Sequence, residues 1–319
     1  MTRAMLYTTA LLSALALTAD AAEQAYPTKP IRIVVGGSPD AVPRILGTRI
    51  AEHWGQQLVV DQRGGAGGTI AAEIVARAPP DGYTLLLCTS SHTMNVNFYK
   101  VAYDMMRDFA PVTSIAATGF VLAVNPSVPA HTVQELIALA RQKPGTLNFG
   151  SGGTGSPAHL IGEMFRMQTG VNMVHVPYKT VAEAVTDVIG GQTQTMFVVS
   201  TAAVPQITGG RIRGLGVTTL KRSPVIPDLP TLDEQGVTGF EATAWYSFIA
   251  PAGTPAAIVE RLHQEVAKDV AMPDVTKRFA TLGLDPMVLP PDEFGRFMKS
   301  ELDKWKSVAA AAKANASAR

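Results

Sequence analysis

The chain has 319 residues, with 27 Lys+Arg against 26 Asp+Glu and a formal net charge of +1. That near-neutral balance gives no bulk attraction to nucleic acid or anionic lipid, while the length suits two domains of ordinary size or one large one. The single cysteine, Cys88, excludes a disulfide framework and a cysteine-based metal site.

Met1-Thr2-Arg3 gives a positive start, Ala10 to Thr18 is an apolar run, and Ala19-Asp20-Ala21 places small residues at signal-peptidase spacing. Residues 1–21 are therefore expected to be a cleaved signal peptide, with an exported, periplasmic mature chain beginning near Ala22. The run is too short to span a bilayer, and no later stretch is long enough, so the mature protein is expected to be soluble. Cys88 is far from the leader, which leaves no lipid anchor. Within Thr84–Cys88 it reads as a core residue.

Short β-branched runs then alternate with helical patterns, as in a parallel α/β sheet. Ile31–Val35 reads as a strand, and Val42, Ile45, Leu46, Ile50 and Trp54 as one face of a helix. Leu58–Val60 is the next strand, followed by the loop Arg63–Gly68, a helix through Ile70, Ile74 and Val75, and the strand Thr84–Cys88. In the middle, Thr132 to Glu135 and Thr180 to Glu183 fit capping boxes, and Ser156-Pro157 fits an N-cap followed by proline at the first helical position. Strands are expected at 146–149, 171–176, 196–199 and 212–217, four β-α units in a row. After Pro224 the chain turns irregular. It is helical again from Thr254, and Ala309–Arg319 is expected to fray.

The most specific local feature is Phe149-Gly150-Ser151-Gly152-Gly153-Thr154-Gly155-Ser156-Pro157. A strand feeds a glycine-rich loop and then a capped helix, an arrangement that holds an anion on backbone N–H groups without an arginine. A tight turn alone is the competing explanation. Gly150, Gly152 and Gly155 also fit G-x-G-x-x-G, but no acid stands near 174–179 to hold a ribose. No Walker lysine follows a glycine loop, and G-x-S-x-G occurs at neither Ser151 nor Ser156. His159 and Glu163, four apart, read as a polar helix face rather than a metal pair. His92, just past a strand end, is a better ligand candidate, with helix capping as its competitor.

Motifs spread along the chain carry a family likeness. They are Tyr26–Ile31, Gly64-Ala66-Gly67-Gly68, Ala78–Leu85, Asp108–Val112, His175–Lys179, Lys221–Pro224 and Ala250–Pro255. From Tyr26 to about Ala310 the chain resembles the periplasmic solute-binding proteins of tripartite tricarboxylate transporters, the Bug family. The resemblance implies a two-domain periplasmic-binding-protein (Venus flytrap) fold, each domain a mostly parallel sheet flanked by helices. Residues 22–124 and 246–319 would form domain 1 and residues 125–245 domain 2. It also implies a small carboxylate ligand held by Gly36, Gly37, Ser38, Asp40, Ser90 and Ser91 from the first domain. Ser151, Gly152, Thr154, Gly155 and Ser156 would hold it from the second.

Two departures from the family pattern stand out. About four residues are missing between Val35 and Gly36, where the family carries an aromatic wall. Val198 stands where the family often has aspartate, which favours a ligand without a positive group, such as an aromatic or apolar mono- or dicarboxylate. The expectation is a monomeric receptor without cofactor, metal or enzymatic activity, whose partners are the carboxylate and the transporter's membrane subunits. Its rivals are a sensory receptor, an exported hydrolase using Ser151 or His159, and a receptor that has lost its ligand.

Overall fold

A computed structural model describes residues 26–36 and 40–317. The signal-peptide expectation and the loop residues Gly37 and Ser38 lie outside them. Strand β1 (Ile31–Val35) buries four of its five residues and is flanked by β2 (Leu58–Gln62) and β3 (Thr84–Thr89), both parallel to it. This fits its unbroken apolar run, because a strand covered on both faces has no polar side to alternate. Helix α1 (Ala41–Trp54) buries Val42, Ile45, Leu46 and Ile50, and ends at Gly55 with φ 65°. Helix α2 (Thr69–Ala76) precedes β3, and a short helix α3 (Ser90–Asn95) follows it without a loop.

Two long strands organise the rest. β4 (Phe109–Val124) and β9 (Thr243–Pro251) run antiparallel from Phe109↔Pro251 to Gly119↔Thr243, with two register shifts. Beyond Gly119, β4 changes partners and pairs with β7 (Thr195–Val199) and β8 (Arg213–Val217). β5 (Asn148–Ser151) lies parallel to β7 and to β6 (Val174–Pro177). The sheet order is β2-β1-β3-β9-β4-β7-β5-β6, with β8 and the two-residue β10 (Asp285–Pro286) also on β4. The expected parallel register thus holds in the outer strands, and every pair involving β4 or β9 is antiparallel. These are the segments by which the chain leaves the first half and returns to it.

Helices α4 (Val133–Gln142), α5 (Pro157–Thr169), α6 (Val181–Gly190) and α7 (Ser200–Thr208) cover the second half. The hydroxyls of Thr132 and Thr180 accept from the N–H groups of Glu135 and Glu183, as the capping boxes predict. Each Glu reaches back one residue further than expected, to the N–H of His131 and of Lys179. Either way an orphan donor at the helix entry is satisfied.

Helices α8 (Ala256–Val270) and α9 (Pro273–Thr281) complete the first half. The last helix, α10 (Pro291–Ser317), corrects the expectation of a fraying end. Its start places Phe294 and Met298 in a core with Val34, Leu86 and Phe109. Its later turns place Trp305, Val308 and Ala312 in a core with Met94, Leu160, Ile161 and Phe165. Small alanines at helical spacing let α10 lie close against its neighbours, a packing role that composition alone does not distinguish from a loose tail. Glu301, buried on this helix, accepts hydrogen bonds from Trp305 Nε1 at 3.0 Å and Trp245 Nε1 at 3.2 Å, and pairs with Lys304. One carboxylate therefore ties β9 to α10.

Trp305→Ala is expected to destabilise the chain by about 3–5 kcal/mol. Trp305→Phe keeps most of the apolar volume and loses the bond to Glu301, so it is expected to cost about 1–3 kcal/mol. Urea unfolding of both variants measures the two losses.

Candidate ligand-binding site

The C-terminal ends of β3, β5 and β7 open on one cleft, as open α/β sheets direct their ligand sites. It has two chambers that share Ser91, Ser156 and Pro157. The first, about 290 Å³, is lined by the aromatics Phe120, Phe197, Trp245 and Tyr246 together with Met196, Val199, Ala244, Ser90 and Thr201. The second, about 280 Å³, is lined by Gly36, Gly67, Asn95, Tyr99, Gly152 and Thr154. Among the described residues no charged side chain lines either chamber.

On the first-half side, α3 supports the polar chamber. Asn95 Nδ2 donates to Gly67 O at 2.7 Å. His92 Nδ1 accepts the N–H of Thr89 at 3.1 Å, so the proton of the neutral ring sits on Nε2, which lies against Gly68. His92 is thus a cap that props the glycine turn, and it does not line the cleft. Gly36 approaches so closely that a Cβ on it would stand 2.5 Å from Gly68 Cα. Two glycines meeting backbone to backbone are what bring Gly36 and Gly67 to the chamber wall.

On the second-half side the glycine loop is held from beneath. Ser151 Oγ is bonded to His175 Nε2 at 2.7 Å and accepts the N–H of Gly153 at 3.1 Å. Gly155 N donates to His159 Nδ1 at 3.0 Å, and Ser156 N to Gly153 O at 3.1 Å. The His159 and His175 rings stack with centroids 4.0 Å apart. Glu163 lies 4.0 Å from His159 Nε2 and takes two bonds from Arg166 Nη1. His159 and Glu163 were expected on a polar helix face and are instead buried. Their mutual packing and the Arg166 pair compensate the polar groups that burial removes from water.

These contacts sort the expected site residues. Gly36, Ser90, Ser91, Gly152, Thr154 and Ser156 line the cleft. Ser151 is fully buried under the loop, and the N–H of Gly155 is already taken by His159. Asp40 is paired with Arg44 Nε at 2.8 Å, and that guanidinium holds its carboxyl below the usual range. Val198 is sealed among Val121, Ala158 and Ala203, while Met196, Phe197 and Val199 reach the cavity. Cys88 is a core residue, its thiol pushed up to about 12 by burial.

Sequence reasoning missed the aromatic wall and the pair Asn95 and Tyr99. The aromatics stand on β4, β7 and β9, away from the loop at Val35-Gly36. The adjacent Trp245-Tyr246 beside a segment read as irregular was the available signal.

Residues 42–313 match the family described as TctC, Tripartite tricarboxylate transporter family receptor. Protein BugT of Bordetella pertussis is 31% identical over 315 residues, covering 97% of each chain. Rpa4515 of R. palustris, solved with adipate, is 37% identical with a TM-score of 0.79, over 90% of this chain and 98% of that one. MatC from Rhodopseudomonas palustris, with bound malate, is 28% identical with a TM-score of 0.74, over 89% and 100%.

Burial lowers His92 from the usual 6.5 to about 4. Because the folded value lies below the unfolded one, stability is intact above pH 6.5 and is lost as pH falls toward 4. The full effect is on the order of 3 kcal/mol. The stability difference between the native chain and His92→Gln is expected to narrow by about that amount between pH 7 and pH 4. Urea midpoints across this range measure it.

Proposed function

Since the chain belongs to the tripartite tricarboxylate transporter receptor family, we propose that it captures a small carboxylate with an apolar or aromatic body. The observation that carries this reading is the joining of a charge-free polar chamber to an aromatic one. The carboxylate sits in the polar chamber, where backbone N–H groups near Gly36, Gly67, Gly152 and Thr154 and the hydroxyls of Ser91, Thr154 and Ser156 face it. Fixed neutral dipoles suit a single anion, because they supply positive potential without a mobile counter-charge to desolvate. The body of the ligand lies along Phe120, Phe197 and Trp245. A tetramethylene chain or an aromatic ring fits that wall, and adipate in a relative is a ligand of the first kind.

The receptor is exported and delivers its ligand to the membrane subunits of the transporter. Among the described residues, those before 125 and after 245 form one lobe and residues 125–245 the other, with β4 and β9 as the crossing strands. Closure follows from a ligand that touches both lobes, and its extent is set by the difference in affinity for the open and closed forms. The later turns of α10, though assigned to the first lobe, pack on α5 of the second. Closure therefore bends the crossing strands while α10 spans both lobes.

The Ser151–His175 contact at 2.7 Å favours a second reading, hydrolysis. It is the weaker one, because a nucleophile needs access and Ser151 is fully buried beneath the loop. Under the receptor reading no ester or amide turns over, and Ser151→Ala weakens the loop without abolishing any activity.

The test is a thermal-shift panel of aliphatic dicarboxylates, aromatic carboxylates, amines and sugars. A carboxylate of the matching class is expected to stabilise the chain by about 2.7 kcal/mol at a hundredfold excess over Kd. Phe197→Ala should weaken binding about tenfold or more through lost apolar contact. A folded protein that responds only to amines or sugars would contradict the proposal.

A further inference from the structure

On the first half, away from the cleft, the last turn of α1 meets one face of α8. His53 Nδ1 lies 2.6 Å from Glu265 Oε1 and 3.1 Å from Asp269 Oδ1. Glu265 and Asp269 are four residues apart, so their carboxylates project from the same helix face. The three donor atoms all lie within 4.8 Å of one another. Asp269 is fully buried, and neither of its oxygens has a hydrogen-bond partner among the described residues. A single imidazole nitrogen serves one carboxylate well, and its shorter contact is to Glu265. Lys268 Nζ, half-exposed, reaches 3.5 Å from His53 Nδ1 and 3.9 Å from Glu265 Oε1, and contacts no Asp269 oxygen within ion-pair distance.

Burial, followed by the charge of Glu265, pushes the Asp269 carboxyl up to about 6. A buried carboxylate facing a second carboxylate and sharing one imidazole with it is a donor set that suits a cation.

We propose that His53, Glu265 and Asp269 bind a divalent transition-metal ion of the zinc class, which clamps α1 to α8. One imidazole nitrogen and two carboxylate oxygens match that class better than a hard cation such as magnesium, which prefers oxygen donors throughout. Bonds of about 2.0–2.2 Å around a tetrahedral ion place its ligands about 3.3 Å apart. The two contacts to His53 Nδ1 therefore lengthen by less than about 1 Å to admit it, a shift within side-chain reach. His53 is partly exposed, which gives the ion a path in and leaves its fourth position to water. Lys268 swings outward as the ion replaces its charge. The site shares no residue with either chamber of the cleft, so it holds whether or not the ligand reading does.

The test uses the untagged full chain, stripped with a chelator and titrated with zinc chloride by calorimetry and by melting. Binding of one equivalent with a rise in melting temperature is expected, together with at least a tenfold loss of affinity in Asp269→Asn and in His53→Gln. His53 is at the surface, so its variant reports on the site even if Asp269→Asn folds poorly. Carboxylate affinity should not change in either variant. The proposal is overturned if zinc neither binds nor stabilises the chain, if His53→Gln binds zinc as tightly as the native chain, or if magnesium stabilises it equally.

Discussion

The antiparallel pairing of β4 with β9 is the constraint from which the rest of the architecture follows. Residues Phe109–Gly119 of β4 lie along β9 in the first half, and Phe120–Val124 then pair with β7 and β8 in the second. The change of partner occurs at the cleft. It puts Phe120 on one side of the cavity floor and Trp245 and Tyr246, from the start of β9, on the other. Trp245 in turn shares Glu301 with Trp305. The cavity wall, the crossing strands and the last helix are thereby coupled through one buried carboxylate, whose charge is compensated by two indole donors and Lys304.

Against this floor the two glycine-rich edges have the same physical role and different supports. In the first half the Gly36–Gly68 contact depends on the absence of side chains, with His92 and Asn95 beneath it. In the second half, Ser151, His175 and His159 hold the loop by hydrogen bonds, and stacked rings fill the space below. Several polar groups named by the sequence are thus spent on shaping the loop, so that Gly152, Thr154 and Ser156 are the ones presented. Under the proposed carboxylate reading, preorganised donors of this kind keep most of their value on binding because little is reordered when an anion arrives.

Much of the fold is legible in the sequence wherever a local signal exists. The caps at Thr132, Ser156 and Thr180, the strand Ile31–Val35 and the stripe on α1 all depend on neighbouring residues, and the structure places them as expected. β4 escaped because it is buried along nearly its whole length, so no alternation of polar and apolar residues marks it. The site was legible at its glycine edges and opaque at its aromatic wall, whose members come from β4, β7 and β9. Val198 illustrates the limit. Its position beside Phe197 suggests the cleft, yet it is sealed in the core on the same face of β7 as Met196, which does reach the cavity, and only the assembled sheet decides which neighbour faces the cleft. Asp40 and Gly155 have the right chemistry and are already engaged, by Arg44 and His159 respectively.

Division of the cleft into an anion end and an apolar end is the central feature of the proposed receptor. A crystal structure of the chain with its tightest-binding carboxylate tests this most directly. The carboxylate is predicted between the Gly36–Gly67 edge and the Gly152–Thr154 edge, with the body of the ligand against Phe120, Phe197 and Trp245. A carboxylate paired with a charged side chain, or a ligand seated outside these two chambers, would contradict it.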